Sequence, residues 1–201
     1  MNVVSGDMLI ATECVIDQLF ATPVYDGRAS NPAGLNFKID ECIDRIDFSF
    51  HKGWGKTHLI SGDHDEEALD NLGLKDLREE LDKHVQEYCR AINYPLNGYR
   101  LNAWFAKFEP GNYAHIHSHK EADIAGVYYY LTNGRDGSFF FASPNPYFEG
   151  SIGFQRYGNF MARRPVEGDV LLFPGWMKHG VQTNEGHTTR ISFSFNIFFS
   201  K

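Results

Sequence analysis

Apolar residues recur at steps of three and four between residues 66 and 92, and this is the clearest periodic pattern along the chain. The stripe consists of Leu74, Leu77, Leu81, Val85, Tyr88 and Ile92. A stripe with this spacing forms one face of an amphipathic helix, and most of the intervening charged residues lie off it. Gly73 predicts that the helix proper begins near Leu74, and Asn93 and Pro95 predict where it ends.

Beyond residue 99 the pattern changes to short segments of aromatic and β-branched residues that are separated by turn signals. Strands are predicted over residues 100–108, 115–119, 124–132, 138–142, 160–164, 170–173 and 189–199. Short strands at this spacing are typical of a sandwich or barrel. The sequence predicts one α+β domain over residues 1–201, mainly β. Within it, a cupin-like jelly roll (double-stranded β-helix) spans about 99–199, and the helix at about 66–92 packs outside it.

The first part of the chain is less regular. Residues 16–25 predict a strand, and Pro23 places it near a sheet edge because proline has no N–H for the ladder. Residues 27–36 have the Gly, Asn, Ser and Pro content of a loop, and a short helix is predicted over 38–46. A polar loop is predicted at 51–65, and the spacing of its three histidines, which suits neither a helix face nor a strand face, argues against a metal site there. Those histidines are His51, His58 and His64.

The composition narrows the class of protein. With 19 Lys and Arg against 26 Asp and Glu, the formal net charge is −7, which argues against a broad basic face for nucleic acid or anionic lipid. No apolar run approaches the roughly 18 residues of a membrane span, and the start of the chain lacks the Lys or Arg of a signal peptide. Scattered cysteines are typical of a reducing compartment. We expect a cytoplasmic protein without nucleic-acid or membrane partners, and the sequence leaves a homodimer open.

Closely spaced histidines suggest a metal site. His117 and His119 would project to the same face of a strand, and so would His115 and His117, so either pair is a candidate. His179 follows a buried strand and the break at Pro174, which predicts that it reaches the mouth of the barrel. A His-x-His pair also occurs by chance on exposed strands, but a third histidine strengthens the prediction. Imidazole suits iron, zinc and copper alike.

A second feature lies on the last predicted strand. Arg190 and Ser192 share one face of that strand, and an inward arginine in an otherwise apolar strand needs an anionic partner. A guanidinium fork beside a hydroxyl is well suited to a carboxylate. Together with the histidines, this pair suggests an iron site with a bound oxoacid.

These motifs resemble the Fe(II)/2-oxoglutarate-dependent oxygenase superfamily, in particular a group of 2-oxoglutarate-Fe(II) oxygenases from bacteria and phages. The likeness covers most of residues 16–199. It is carried by Gly111, His117-Ser118-His119, Ala125-Gly126-Val127-Tyr128-Tyr129, Gly168-Asp169, Phe173-Pro174, His179, Arg190-Ile191-Ser192 and Phe195-Asn196.

The resemblance implies a set of Fe(II) ligands. His117 would be the first ligand, since relatives place it six positions after the glycine that corresponds to Gly111. His119 falls where most relatives have Asp or Glu, and His179 corresponds to the distal histidine. This three-histidine set is one negative charge poorer than the usual set, and Asp123 is an alternative to His119.

The resemblance also implies the cofactor site and the activity. Arg190 would bind the far carboxylate of 2-oxoglutarate, with Ser192 beside it and Tyr130 at a position where relatives often have a tyrosine. The implied enzyme uses O2 to hydroxylate an unactivated C–H bond of a small-molecule or peptidyl substrate. The aromatic loop at 144–159 is expected either to line a substrate cleft or to cover the mouth of the barrel. A non-catalytic cupin-like binding module and a structural protein of the same fold are the alternatives.

Overall fold

The computed structural model describes residues 21–62, 65–144 and 160–200. The helices in these ranges are α1 (Pro32–Ile43), α2 (Ala68–Asn71) and α3 (Lys75–Ala91). The strands are β1 (Tyr25–Arg28), β2 (Ser49–Phe50), β3 (Leu59–Ile60), β4 (Tyr99–Phe108), β5 (Ala114–His117), β6 (Ile124–Leu131), β7 (Phe139–Ala142), β8 (Phe160–Arg163), β9 (Asp169–Pro174), β10 (His179–Val181) and β11 (Arg190–Phe199). No helix in the described ranges is long and apolar enough to cross a membrane.

The strands form two antiparallel sheets. One sheet has the order β1-β9-β6-β11-β4-β3-β2, and the other has the order β5-β10-β7-β8. Aromatic side chains from both sheets meet between them. The ring centroid of Phe173 lies 5.5 Å from that of Phe139 and 5.0 Å from that of Phe141. Two facing sheets with helices outside confirm the predicted jelly roll of the α+β class.

The central strand β11 separates two environments because successive side chains point to opposite faces of a sheet. On the outer face, its apolar residues pack in a core that includes α1 and α3; these are Ile191, Phe193, Phe195 and Ile197. On the inner face, the alternate positions line a cavity between the sheets; these are Arg190, Ser192 and Ser194. The alternation read from the sequence therefore places the polar stripe of β11 inside the jelly roll.

The helix predicted over 66–92 is present, but it is divided. Gly73 has a φ of +71°, a left-handed conformation that favours glycine, and it separates α2 from α3. Leu74 is the N-cap of α3, as the sequence predicts. The buried face of α3 carries most of the predicted apolar stripe, namely Leu77, Leu81, Val85 and Tyr88.

The region before residue 45 differs from the prediction. The helix expected over 38–46 begins at Pro32, within the predicted loop. The side chain of Asn31 accepts a hydrogen bond from the N–H of Gly34 at 3.1 Å, and proline is favoured at the first helical position. The residues taken for a loop signal are thus a capping signal. The predicted first strand lies partly outside the described residues, and β1 begins where that prediction ends, at the edge of its sheet.

Candidate metal and oxoacid site

Three of the predicted metal ligands come together between the sheets. One nitrogen from each of His117, His119 and His179 lies within 4.8 Å of the others. The ring centroids of His117 and His179 are 4.2 Å apart, and that of His119 is 5.1 Å from each. Such spacing lets three imidazole nitrogens face one ion.

Different elements hold the three rings. His117 ends β5 and lies opposite His179, the first residue of β10. His119 lies beyond the end of β5, so the expected shared strand face is wrong. Instead, the His119 N–H donates to the Gly175 carbonyl at 2.8 Å. A Cβ at Gly175 would lie 2.1 Å from the Ala122 carbonyl oxygen, so only glycine permits this approach.

Hydrogen bonds to backbone carbonyls orient two of the rings. His117 Nδ1 lies 2.8 Å from the His115 carbonyl, and His179 Nδ1 lies 2.8 Å from the Met177 carbonyl. A carbonyl only accepts, so each Nδ1 carries the proton and each Nε2 keeps a lone pair for a metal. Burial lowers the pKa of His117 and lowers that of His179 well below its usual value, which favours the neutral, metal-binding form.

The alternative ligands lie elsewhere. His115 is exposed and packs its ring 5.0 Å from the ring of Tyr113. Asp123 is also exposed, and its carboxylate accepts a hydrogen bond from the Phe199 N–H at 2.7 Å. The structure thus brings together the favoured set and leaves both alternatives outside it.

Arg190 is almost fully buried, with 1% of its surface exposed. Its Nη1 donates to the Gly137 carbonyl at 2.7 Å, and its guanidinium carbon lies 5.3 Å from the ring centroid of Phe108 and 5.2 Å from that of Tyr129. Burial lowers the pKa of Arg190, although arginine stays charged at neutral pH. Its Nε has no hydrogen-bond partner, and a buried donor of this kind calls for an acceptor.

Tyr129 presents a second unpartnered group beside Arg190. Its hydroxyl is buried and has no hydrogen-bond partner, and burial raises its pKa to about 12, so it stays protonated and can donate. Tyr129 lies opposite Ser192 on the neighbouring strand, which puts both side chains on the cavity face. The guanidinium, the phenol and the serine hydroxyl therefore form one set of donors.

Tyr130 does not join this set, which corrects the expectation taken from the resemblance. Its hydroxyl donates to Asp40 of α1, and its ring belongs to the helix-side core. Neighbouring strand residues face opposite ways, so an error of one position moves a side chain to the other face of the sheet. Tyr129, the preceding residue, lies beside Arg190 instead.

The cavity has a volume of about 110 Å³ and contains the three histidines, Arg190 and Ser192 in its wall. The sequence predicted the loop between β2 and β3, but not that it closes one side of the cavity. Trp54 of this loop packs edge to face on His117 at 4.4 Å. His58 is buried and stacks on Phe108 at 4.8 Å, and burial lowers its pKa to about 4. His51 also lines the cavity, whereas His64 and residues 145–159 lie outside the described residues.

These residues fit Fe(II) and 2-oxoglutarate. Neutral imidazole nitrogens suit iron, and three of them converge here. A carboxylate would satisfy both the buried Arg190 Nε and the Tyr129 hydroxyl. Arg190 and Ser192 line the cavity, and the Tyr129 ring lies against the guanidinium. The cavity therefore matches an oxoacid that has a metal-binding end and a far carboxylate.

Comparison with known proteins gives a family match to part of the chain and a similar fold. The model of the family described as "Putative 2OG-Fe(II) oxygenase" matches residues 102–196. A prolyl-4-hydroxylase from Pseudomonas putida is 14% identical with a TM-score of 0.62, over 90% of this chain and 94% of that one. HygX from Streptomyces hygroscopicus, with nickel and 2-oxoglutarate bound, is 14% identical with a TM-score of 0.59, over 87% and 83%. A prolyl hydroxylase from Trichoplax adhaerens, in complex with a hypoxia inducible factor peptide, is 15% identical with a TM-score of 0.60, over 88% and 83%. No curated protein matches the sequence.

Proposed function

We infer that this chain, whose residues 102–196 match the model of the 2OG-Fe(II) oxygenase family, hydroxylates an unactivated C–H bond of a small-molecule or peptidyl substrate. It is an Fe(II)- and 2-oxoglutarate-dependent oxygenase that uses O2. The observation that carries the inference is that one cavity contains both a group of three imidazoles and a buried guanidinium whose Nε lacks a hydrogen-bond partner. A binding module or structural protein would not need the guanidinium.

The three histidines would hold Fe(II), and His117 and His179 would do so through Nε2. Arg190, Tyr129 and Ser192 would hold the far carboxylate of 2-oxoglutarate. When bound, iron with 2-oxoglutarate and O2 supplies the oxidation of the C–H bond, while the oxoacid is converted to succinate and CO2. The rest of the work belongs to the protein, which binds, orients and shields these groups.

Side chains packed around the cavity orient these groups. The guanidinium of Arg190 lies within cation–π distance of Phe108 and Tyr129, which hold it in place. The ring of His179 stacks on Phe139 at 5.2 Å, which fixes the direction of its Nε2. Apolar side chains complete the wall and limit access of water; they include Val127, Phe173 and Val181.

The loop that closes one side of the cavity is a candidate contact for the substrate. Trp54 and His51 lie in the loop between β2 and β3, outside residues 102–196 that the family model matches. We propose that this loop contacts the substrate. HygX has been solved with hygromycin B, and the Trichoplax enzyme with a peptide, so similar structures accept both small molecules and peptides.

The proposal is tested first through Arg190. Hydrogen bonds to charged groups contribute roughly 1.5–3 kcal/mol, and each 1.4 kcal/mol is about a factor of ten. Arg190→Ala should therefore raise the dissociation constant of 2-oxoglutarate at least ~10-fold, while Arg190→Lys should recover only part because an ammonium lacks the planar fork. Isothermal titration of the protein loaded anaerobically with Fe(II), or with Mn(II), measures both.

The same titration separates the alternatives. Metal content should be unchanged in both variants, because Arg190 is proposed to touch the far end of the oxoacid. Absence of oxoacid binding to the metal-loaded wild type would reject the oxygenase and favour the binding module. Equal binding to wild type and Arg190→Ala would reject Arg190 as the anchor.

A further inference from the structure

A buried carboxylate belongs to the residue before Gly137, whose carbonyl accepts a hydrogen bond from Arg190, and it has no part in the site described above. Asp136 has 0% of its surface exposed. Its two oxygens accept the Thr132 hydroxyl at 2.7 and 2.8 Å, and Oδ2 also accepts the Asn133 N–H at 2.9 Å. The Thr132 hydroxyl in turn accepts the Gly134 N–H at 3.0 Å. Asp136 thus organises the turn between β6 and β7, and it forms no direct ion pair with any residue that the structure describes.

This turn reaches the buried guanidinium through the next residue. The Gly137 carbonyl accepts the hydrogen bond from Arg190 Nη1 at 2.7 Å. Gly137 has a φ of +94°, and a Cβ there would lie 2.3 Å from the Gln182 carbonyl oxygen, so the turn is held against the chain that follows β10. Burial lowers the pKa of Arg190, whereas Tyr129 and Asp136 act in the opposite direction. The Asp136 carboxylate and the Arg190 guanidinium are thus both buried. The carbonyl of Gly137, the residue after Asp136, bonds to that guanidinium.

We propose that Asp136 is a positioning residue and an internal counter-charge that sets the affinity of Arg190 for the far carboxylate of the oxoacid. Buried charges interact through a low effective dielectric, and an uncompensated buried charge is costly. In the ligand-free protein, Asp136 offsets the charge of Arg190. When the oxoacid binds, the same negative charge repels the incoming carboxylate. The inference rests on the proposed function, because Arg190 must be the anchor.

Two opposite effects follow for Asp136→Asn. The amide oxygen can still accept the Asn133 N–H, and the amide nitrogen can donate to the Thr132 hydroxyl, so the turn is kept. Without the negative charge, the ligand-free protein should melt at a lower temperature. 2-Oxoglutarate should bind at least about threefold more tightly, so it should raise the melting temperature by more than in wild type. A purely structural role would lower both stability and affinity.

The experiment uses the Mn(II)-loaded full chain and two oxoacids. Wild type, Asp136→Asn and Thr132→Val are titrated with 2-oxoglutarate and with 2-oxobutyrate, which keeps the chelating end but lacks the far carboxylate. Asp136→Asn should tighten binding of 2-oxoglutarate only. Thr132→Val, which removes a hydrogen bond of the turn but keeps the charge, should not tighten either. Unchanged or weaker binding of 2-oxoglutarate to Asp136→Asn, or equal tightening of both oxoacids, would overturn the proposal.

Further outcomes separate this inference from the proposed function. If wild type binds no 2-oxoglutarate, both are overturned. If wild type binds it and Arg190→Ala does not, while Asp136→Asn shows no gain, only the role of Asp136 is overturned. Should Asp136→Asn fail to fold, the double variant with Arg190→Met removes both buried charges and is expected to fold. Failure of the double variant as well would contradict a charge effect.

Discussion

At the scale of single residues, the orientation of a side chain decides between chemically equal neighbours. Tyr129 and Tyr130 are adjacent, yet one hydroxyl lies unpartnered beside Arg190 and the other donates to Asp40. The sequence shows three consecutive tyrosines on this strand, from Tyr128 to Tyr130, and the face of each depends on register. That register contains an irregularity between Ile191 and Ser192, which no local pattern reveals.

The two tyrosines give a matched pair of variants. Tyr129→Phe should raise the dissociation constant of 2-oxoglutarate about tenfold, because it removes one hydrogen bond to a carboxylate. Tyr130→Phe should leave that constant unchanged and reduce thermal stability, because it removes the bond to Asp40. Isothermal titration and thermal melting measure these effects. The reverse pattern would restore Tyr130 as the contact.

His179 is proposed to be a metal ligand, and its removal gives a direct test. His179→Ala should abolish stoichiometric Fe(II) binding while the fold is kept, since the remaining two imidazoles leave the ion mostly to solvent. Elemental analysis after gel filtration measures the iron, and circular dichroism checks the fold. Full iron occupancy in the variant would exclude His179 from the ligand set.

The two histidines that flank His117 test which pair belongs to the site. His119→Ala should weaken iron binding far more than His115→Ala, because only His119 faces the other two rings, whereas His115 is exposed. A competitive chelator titration compares the two affinities. Equal losses would argue for a pair formed by His115 and His117.

At the scale of elements, His119 lies outside the strands and is positioned by a close approach of its backbone to that of Gly175. The Gly175 carbonyl holds the His119 N–H, and there is no room for a Cβ at Gly175. Gly175→Ala should therefore displace the chain around His119 and weaken Fe(II) binding, on the order of tenfold if one ligand is misplaced. A chelator titration measures the loss, and unchanged affinity would mean that the turn adjusts freely.

The sequence predicted elements well where periodicity is strong. The apolar stripe of α3 and the alternation of β11 fixed both elements and their buried faces. It failed at α1, where Asn31 and Pro32 serve as cap and first turn although the same residue types also form loops. It also missed Trp54 and His58, because contacts to His117 and Phe108 join segments that are distant along the chain.

At the scale of the whole molecule, one sheet joins the helix-side core to the candidate site. Its outer face packs against the helices, and its inner face carries Arg190 and the cavity. We propose on this basis that residues 1–201 form one domain. The residues His117, His179 and Arg190 could be predicted as candidate site residues because each belongs to a short motif in the sequence. The turn at Asp136 and the wall at His58 depend on the assembled fold, so no local pattern predicts them.

Burial of neutral histidines should make the metal-free protein sensitive to acid. The pKa of His58 falls from 6.5 to about 4 on folding because of burial, so between these values only the unfolded chain takes up its proton. The free energy of unfolding should therefore reach its full value above pH 6.5 and fall as the pH drops toward 4. The lowered pKa values of His117 and His179 act in the same direction. The contribution of His58 is on the order of 3 kcal/mol.

Urea unfolding with a chelator present, from pH 7 to pH 4.5, should show a smaller loss of unfolding free energy for His58→Gln than for wild type. Parallel curves for wild type and His58→Gln would show that the imidazole titrates alike in both states.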